Sequence, residues 1–290
     1  MNILAKLYIF QKQRFPLRIL LFTTLSSILS SAAVSPVKPS YLLMLLAFFS
    51  TLFFLFHIRV IDESRDMELD STLHPERPVQ SGIISMRELF FTSFIGIVAC
   101  IAVAVFAGFP AMVITFSILV FTTLAWRDFF AKSFFARKPV LYHLVNSPQM
   151  VLIQWNIYAM YTGSFRVTWL MLLQLLLVYN SIFILEVLRK VKAPKSDTPD
   201  TYSADMGTRK SLGFVTIMIF FGFGIYMLLL NGLNALYFQY IFAGVGVSIL
   251  LIAFMFYHSK MQSVFTERLM VVGAVFYYVS MNLFVYISSL

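Results

Sequence analysis

Residues 89–108 read Leu-Phe-Phe-Thr-Ser-Phe-Ile-Gly-Ile-Val-Ala-Cys-Ile-Ala-Val-Ala-Val-Phe-Ala-Gly, a run without a charged side chain. A helix that crosses the hydrocarbon core of a bilayer needs about 20 mostly apolar residues, so this run predicts a transmembrane helix. A second apolar run, residues 110–126, follows at once, and Gly108 and Pro110 favour a tight turn and a new helix start between the two. The pair therefore predicts two membrane helices joined by a short turn.

Comparable runs recur along the chain, and together they predict nine spans, at residues 17–34, 40–57, 89–108, 110–126, 141–161, 168–188, 212–231, 234–257 and 269–288. Hydrophobic residues make up 60% of the chain and charged residues 12%, whereas soluble domains carry about 25% charged residues. This composition excludes a soluble enzyme, a disordered chain and a collagen-like fibre. We predict an all-α, polytopic membrane protein whose residues 1–290 form a single membrane-embedded domain.

The basic residues are divided unequally between the two sides of this arrangement. Twenty of the 22 Lys and Arg residues lie in the N-terminal segment or in loops on its side, and only Lys38 and Arg166 lie opposite. Because cytoplasmic loops carry the excess of Lys and Arg, we predict a cytoplasmic N-terminus and an extracytoplasmic C-terminus. All 13 acidic residues fall on the cytoplasmic side as well, so a polar site would open to the cytoplasm.

The bilayer also accounts for the net charge of +9, and no nucleic-acid partner is predicted. Cys100 is the single cysteine of the chain, which excludes an internal disulfide.

The loop between the second and third predicted spans carries three aspartates spaced four residues apart, Asp62, Asp66 and Asp70. That spacing places all three on one helix face, where like charges repel. A divalent cation would offset the repulsion, and clustered carboxylates with phosphate oxygens suit Mg²⁺, with Mn²⁺ as an alternative. The competing interpretation is a solvated helix end with scattered charge.

This segment resembles the first aspartate-rich motif of the UbiA superfamily of intramembrane prenyltransferases. The superfamily pattern is Asn-x-x-x-Asp-x-x-x-Asp, followed by Pro-x-Arg-Pro and then Ser-Gly. Asp66 and Asp70 fall on the two aspartates, Asp62 stands where asparagine is usual, and residues 75–78 and 81–82 match the later parts. The resemblance implies that these three aspartates are catalytic metal ligands and that Arg77 binds substrate.

A second acidic region follows the sixth predicted span. By the same resemblance, Glu186, Asp197 and Asp200 are catalytic metal ligands, while the usual middle aspartate falls on Ala193. The neighbouring Arg189, Lys190 and Tyr202 are then substrate-binding residues, and the sequence around them resembles one bacterial branch of the superfamily. The alternative for this basic loop, and for Lys195 in particular, is attraction to anionic lipid.

The loop between the fourth and fifth predicted spans resembles that bacterial branch too. Its pattern is an acid and two phenylalanines, then a basic pair and a tyrosine, and the residues that match as substrate-binding are Asp128, Arg137, Lys138 and Tyr142. Guanidinium and ammonium groups suit diphosphate oxygens. A stop-transfer role is the alternative for either basic residue.

The resemblance implies Mg²⁺-dependent transfer of an isoprenoid group from an allylic polyprenyl diphosphate to a hydrophobic, in particular aromatic, acceptor in the membrane. The predicted location is a bacterial inner membrane, with membrane lipid as a further partner. Two alternatives stay open, a terpene cyclase of the same superfamily and a divalent-cation or small-solute transporter. A transporter would be expected to carry ionisable residues near mid-bilayer, and the predicted spans hold scattered amides there instead, such as Gln154, Asn156, Gln174 and Asn180.

Overall fold

The computed structural model describes residues 1–131, 134, 139–194, 201–235 and 237–290, with residues 139, 140, 142 and 143 described by their backbone alone. Four predicted site residues, Arg137, Lys138, Asp197 and Asp200, therefore lie outside the described residues, as does the side chain of Tyr142. All regular secondary structure in the described part is helical, which confirms the all-α prediction.

The helices follow one another through turns and short loops. In chain order they are α1 (Ile3–Arg14), α2 (Leu17–Val34), α3 (Tyr41–Arg65), α4 (Met67–Leu73), α5 (Met86–Ala107), α6 (Phe109–Trp126), α7 (Pro139–Asn146), α8 (Pro148–Thr162), α9 (Trp169–Arg189), α10 (Tyr202–Met206), α11 (Thr208–Gly232), α12 (Phe238–Met261) and α13 (Val264–Ser288). A short 3₁₀ turn at Asp128–Phe130 follows α6.

Eight helices of the described part are long and apolar enough to cross a membrane, namely α2, α3, α5, α6, α9, α11, α12 and α13. They correspond to eight of the nine predicted spans. The fifth predicted span, residues 141–161, is instead divided between α7 and α8 at Ser147. The cause is Pro148, which lacks an N–H group and disfavours helical backbone at the residue before it. Whether α7 and α8 together cross the membrane stays a prediction.

The chain divides into two compact units. The first comprises Met1–Leu25, Val37–Lys138 and Leu152–Arg166, and the second comprises Ser26–Pro36, Pro139–Val151 and Val167–Leu290. Each unit is built around its own helix contacts, and each contains one of the two acidic regions.

In the first unit, α3 packs against α5 and α6. Gly96 of α5 permits close approach, because a Cβ there would lie 3.2 Å from the ring of Phe53. Ser85 and Glu88 form a capping box at the start of α5, so that orphan backbone N–H groups of the first turn are satisfied. Gly108 has φ 111° at the turn into α6, as its position in the sequence predicts.

In the second unit, α9 packs against α11 and α13, and α12 packs against α13. Three fully buried polar side chains, here called the polar trio, connect three of its helical segments: Ser30 of α2, Gln174 of α9 and Asn282 of α13. Ser30 Oγ donates to Asn282 Oδ1 at 2.8 Å, and Gln174 Nε2 donates to Ser30 Oγ at 2.7 Å. Paired in this way, the three groups are tolerated in an apolar interior.

Candidate active site

The first acidic segment occupies the junction of α3 and α4. Hydrophobicity predicts a span that ends near residue 57, but α3 continues to Arg65, and the helical backbone hydrogen bonds run on beyond it. The N–H of Asp66 donates to Asp62 O at 2.9 Å, and the N–H of Asp70 donates to Asp66 O at 2.8 Å. The three aspartates therefore follow one nearly continuous helical path, as their spacing predicts.

Arg65 contacts the carboxylates of Asp62 and Asp66. Its Nη2 lies 3.1 Å from Asp62 Oδ1. The guanidinium also binds Asp66 through both oxygens, with Nε 2.9 Å from Oδ1 and Nη2 3.2 Å from Oδ2. A fork of this kind is among the stronger ion-pair geometries in proteins.

Asp70 is the deepest of the three aspartates, with its side chain 7% exposed. Arg77 forms an ion pair with its Oδ1, and Arg14 Nη2 lies 3.3 Å from its Oδ2. The Pro-Glu-Arg-Pro segment positions Arg77, because Ser81 donates its N–H to Arg77 O at 2.8 Å and closes a compact turn. The structure therefore brings two residues of the predicted motif, Asp70 and Arg77, into direct contact.

Glu63 also belongs to this cluster, although the sequence analysis did not select it. Its side chain is fully buried and pairs with Arg14 Nε at 2.6 Å and with Arg59. Arg14 arrives from α1, which is held in place by Phe10 and Phe15 in a hydrophobic cluster. The i,i+4 spacing of Arg59 and Glu63 favours an ion pair on one helix face. No local sequence pattern, however, indicates the contact between Glu63 and Arg14, which are 49 residues apart in the chain.

Arg14 lies close to two other positively charged side chains, Arg59 and Arg77. Burial lowers the pKa of its guanidinium, and Arg59 and Arg77 lower it further, while Glu63 acts in the opposite direction. The four arginines 14, 59, 65 and 77 thus supply the charge that offsets repulsion among the acids. The sequence analysis assigned that role to a divalent cation, and the structure shows that the protein's own side chains already supply it.

The donor set nevertheless fits a hard divalent cation. Mg²⁺ and Mn²⁺ prefer carboxylate oxygens, and Asp62 and Asp66 keep side-chain exposures of 27% and 42%. Within the described residues, no three His, Cys, Asp or Glu side chains already converge in a metal-holding group. Binding a cation would therefore require the carboxylates to turn from their arginine partners.

Asp128 lies beside the first acidic segment, with Oδ1 4.0 Å from Arg65 Nε. It begins a turn in which Asp128, Phe129 and Phe130 all have positive φ, at 47°, 52° and 58°. Consecutive left-handed residues other than glycine are uncommon because of steric strain. Phe129 packs edge-on against Phe121 of α6, with ring centroids 5.4 Å apart, and this contact supports the turn.

The second acidic region is organised by local contacts at the end of α9. Glu186 accepts from Arg189 at 2.9 Å and 2.6 Å, and Lys190 Nζ lies 3.9 Å away. Tyr202 is almost fully buried, and burial, with the negative charges of Glu186 and Asp205, raises the pKa of its phenol above the usual range. Tyr202 is therefore a neutral hydroxyl at physiological pH. Glu186, Arg189, Lys190 and Tyr202 thus come together at one end of the second unit.

Two hydrogen bonds join residues 190–192 to residues 202–203, and this pairing is here called the stem. Tyr202 donates its N–H to Lys190 O at 3.0 Å, and Lys192 donates its N–H to Ser203 Oγ at 2.9 Å. Glu267 of α13 fastens this stem, because it accepts from Lys192 Nζ at 2.5 Å and from the N–H of Ala193 at 3.1 Å. The sequence analysis did not select Glu267, whose contacts are 74 and 75 residues distant in the chain.

Comparison with known proteins gives a consistent family relationship. The sequence model of the UbiA prenyltransferase family matches residues 20–284. No curated protein sequence shows a significant match.

Solved structures share the fold at low sequence identity. A UbiA homologue from Aeropyrum pernix K1 superposes with a TM-score of 0.70 at 12% identity, over 93% of this chain and 98% of its own. A structure described as a digeranylgeranylglyceryl phosphate synthase in membranes has a TM-score of 0.65 at 17% identity, over 98% and 99%. A homologue from Archaeoglobus fulgidus, described as bound to DMAPP and Mg²⁺, has a TM-score of 0.56 at 14% identity, over 96% and 98%.

Proposed function

The chain belongs to the UbiA prenyltransferase family, and we propose on that premise that it transfers an isoprenoid group from an allylic polyprenyl diphosphate to a hydrophobic, in particular aromatic, acceptor within the membrane. The observation that carries the proposal is the cluster at the α3–α4 junction, where five carboxylates and four arginines meet within the first unit. The carboxylates suit a divalent cation, and the guanidinium groups suit a diphosphate. The transporter hypothesis has no comparable support.

The residues that would hold divalent cations, in this proposal Mg²⁺, are Asp62, Asp66 and Asp70 of the first segment and Glu186, Asp197 and Asp200 of the second. Bound Mg²⁺ would neutralise the diphosphate leaving group and so favour cleavage of the allylic carbon–oxygen bond. The A. fulgidus homologue described as bound to GPP and Mg²⁺ supports the use of a divalent cation at the level of the fold.

In each of the two regions, the chain's own cations are proposed to bind phosphate oxygens. Arg77, which pairs with Asp70 in this structure, is proposed to bind them when that carboxylate turns to a cation. Arg189 is half exposed at the end of α9 and is available to phosphate oxygens. Lys190, Arg137 and Lys138 are proposed to add positive charge, and Tyr142, Tyr202 and Asp128 to position substrate by hydrogen bonding.

The raised pKa of Tyr202 gives its proposed role a physical basis. Because burial, together with the negative charges of Glu186 and Asp205, raises the pKa of the phenol, the hydroxyl keeps its proton over the physiological range and is proposed to serve as a hydrogen-bond donor.

We propose a bacterial inner membrane as the location, as the resemblance to a bacterial branch implies. The 20-to-2 division of basic residues supports a cytoplasmic N-terminus and an extracytoplasmic C-terminus. A reporter fused after Leu290 is then extracytoplasmic, and one inserted near residue 198 is cytoplasmic. Finding both reporters on the same side would contradict this topology.

The proposed reaction is tested on membranes that contain the protein. Radiolabelled DMAPP, GPP and longer allylic diphosphates are supplied with Mg²⁺, with and without candidate aromatic acceptors. We expect acceptor-dependent prenylation that stops in excess EDTA and returns with Mg²⁺ or Mn²⁺. A labelled hydrocarbon formed without acceptor would favour the cyclase alternative, and full turnover in EDTA would refute the metal assignment.

A further inference from the structure

Arg65 differs from the other arginines of the first acidic cluster in the carboxylates that it holds. Arg14, Arg59 and Arg77 pair with Glu63 and Asp70, whose side chains are 0% and 7% exposed. Arg65 pairs with Asp62 and Asp66, the two most exposed carboxylates of the cluster. The charges that solvent and ligands reach most easily are therefore those neutralised by Arg65.

The contact between Arg65 and Asp66 uses both carboxylate oxygens, at 2.9 Å and 3.2 Å. The same guanidinium reaches Asp62 Oδ1 at 3.1 Å. A divalent cation drawn to these oxygens would meet a positive charge within a few ångströms, and like charges at such distances repel strongly where solvent screening is weak. Arg65 and the cation therefore compete for the same oxygens.

The position of Arg65 in the fold permits exchange. It is the last residue of α3, and the next residue, Asp66, has φ −89° and ψ 5° where α3 passes into α4. Its side chain is 17% exposed, much like the 18% of Arg59, so the two arginines differ in position and in partners. Arg59 lies within α3 and binds a fully buried carboxylate, whereas Arg65 ends the helix and binds carboxylates that are 27% and 42% exposed.

Resting on the proposed function, we propose that Arg65 is an exchangeable counter-ion of the first acidic segment. In the metal-free protein it holds Asp62 and Asp66 together against their mutual repulsion. When a divalent cation binds these carboxylates, Arg65 releases them, and its guanidinium turns to the diphosphate. The planar fork that now binds Asp66 through two oxygens matches phosphate oxygens equally well.

This exchange predicts opposite effects of one substitution on two ligands. Arg65→Gln removes the competing charge, so Mg²⁺ should bind the purified full chain about two- to fivefold more tightly by calorimetry. Inorganic diphosphate, measured as a competitive inhibitor in saturating Mg²⁺, should bind about tenfold more weakly. Arg65→Lys keeps the charge but not the fork, so it should leave Mg²⁺ affinity near that of the wild type and still weaken diphosphate binding.

The matched control is Arg87→Gln, which makes the same change in net charge at an exposed position in the first turn of α5. It should alter neither affinity. Weaker Mg²⁺ binding in Arg65→Gln would show that Arg65 only positions the carboxylates, and unchanged diphosphate inhibition in both Arg65 variants would overturn its second role. If the wild type binds no Mg²⁺ in the same titration, this inference fails, because it requires the carboxylates to bind the cation without diphosphate; the prenylation assay on membranes tests the proposed function separately. Should Arg65→Gln fail to fold, Arg65→Lys still tests the diphosphate role.

Discussion

The two acidic regions hold their carboxylates in different ways. In the first, the arginine partners come from α1, from α3 and from the turn after α4, so the charges tie distant parts of the first unit together. In the second, Glu186 is held by Arg189, three residues further along the same helix. Glu63 and Asp70 therefore join parts of the first unit that are distant in sequence. Glu186 pairs instead with residues three and four positions further along the chain, as Asp62 and Asp66 pair locally with Arg65.

The largest effect should come from Glu63. Glu63→Ala removes the fully buried carboxylate that Arg14 and Arg59 share, and loss of one partner from a buried ion pair costs about 3–5 kcal/mol. Thermal unfolding of the purified protein measures this loss. Glu186→Ala is the control from the second region and should change the free energy of unfolding by less than about 1 kcal/mol, because Arg189 is half exposed. Equal losses in the two variants would remove the distinction between the regions.

Substitutions of Asp66 and Asp70 separate the effect on activity from the effect on stability within the first region. Either residue changed to Ala should lower transferase activity by at least about 100-fold, since both are proposed metal ligands. Only Asp70→Ala should also lower the unfolding temperature markedly, because it removes the buried partner of Arg77 and one of the two carboxylates that pair with Arg14. An Asp66→Ala protein that folds normally and stays active would show that this carboxylate is not a required metal ligand.

Glu267 tests whether the second region depends on its stem. Glu267→Ala removes the acceptor for Lys192 and for the N–H of Ala193, and loss of charge-assisted hydrogen bonds of this kind costs about 1.5–3 kcal/mol. We expect activity about tenfold lower, through a higher KM for the diphosphate. Glu267→Gln keeps an acceptor for Ala193 and should recover part of the loss. Full activity in Glu267→Ala would show that the stem does not position the site.

The smallest effect is expected from Tyr202. Its raised pKa means that the folded state favours the protonated phenol, so its contribution to stability is complete below about pH 10 and is lost at higher pH. The pH dependence of activity between about pH 7 and pH 9 should therefore keep its shape in Tyr202→Phe. A basic limb that disappears in this variant would contradict the assignment of Tyr202 as a neutral donor.

The sequence alone predicted the fold well, because length and hydropathy are sufficient to identify a membrane helix. Eight predicted spans are helices of the required length, and the fifth is divided into two shorter helices where Pro148 interrupts an otherwise apolar run. The spacing of Asp62, Asp66 and Asp70 was also readable, since it depends only on helix periodicity. The assignment of metal ligands stays a prediction.

The ion-pair and hydrogen-bond partners of these carboxylates could not be predicted from the sequence. Arg14 and Glu267 act on residues 49 to 75 positions away, and no periodic pattern encodes such contacts. In the sequence, Arg14 is one of many predicted cytoplasmic charges. In the structure, the packing of Phe10 and Phe15 positions Arg14 beside Glu63. The tertiary packing of α1 therefore determines which carboxylate Arg14 binds.

The polar trio of the second unit has a consequence for biosynthesis. Ser30 and Asn282 are 252 residues apart, and the chain is made from its N-terminus, so Ser30 and Gln174 are in place long before their common partner exists. Until α13 is complete, the side-chain amide of Gln174 lacks the Asn282 acceptor that it finds at 3.4 Å in the finished unit. Final closure of this unit is therefore a late event in synthesis, because the hydrogen bonds that link α2, α9 and α13 are complete only after residue 282 has been added.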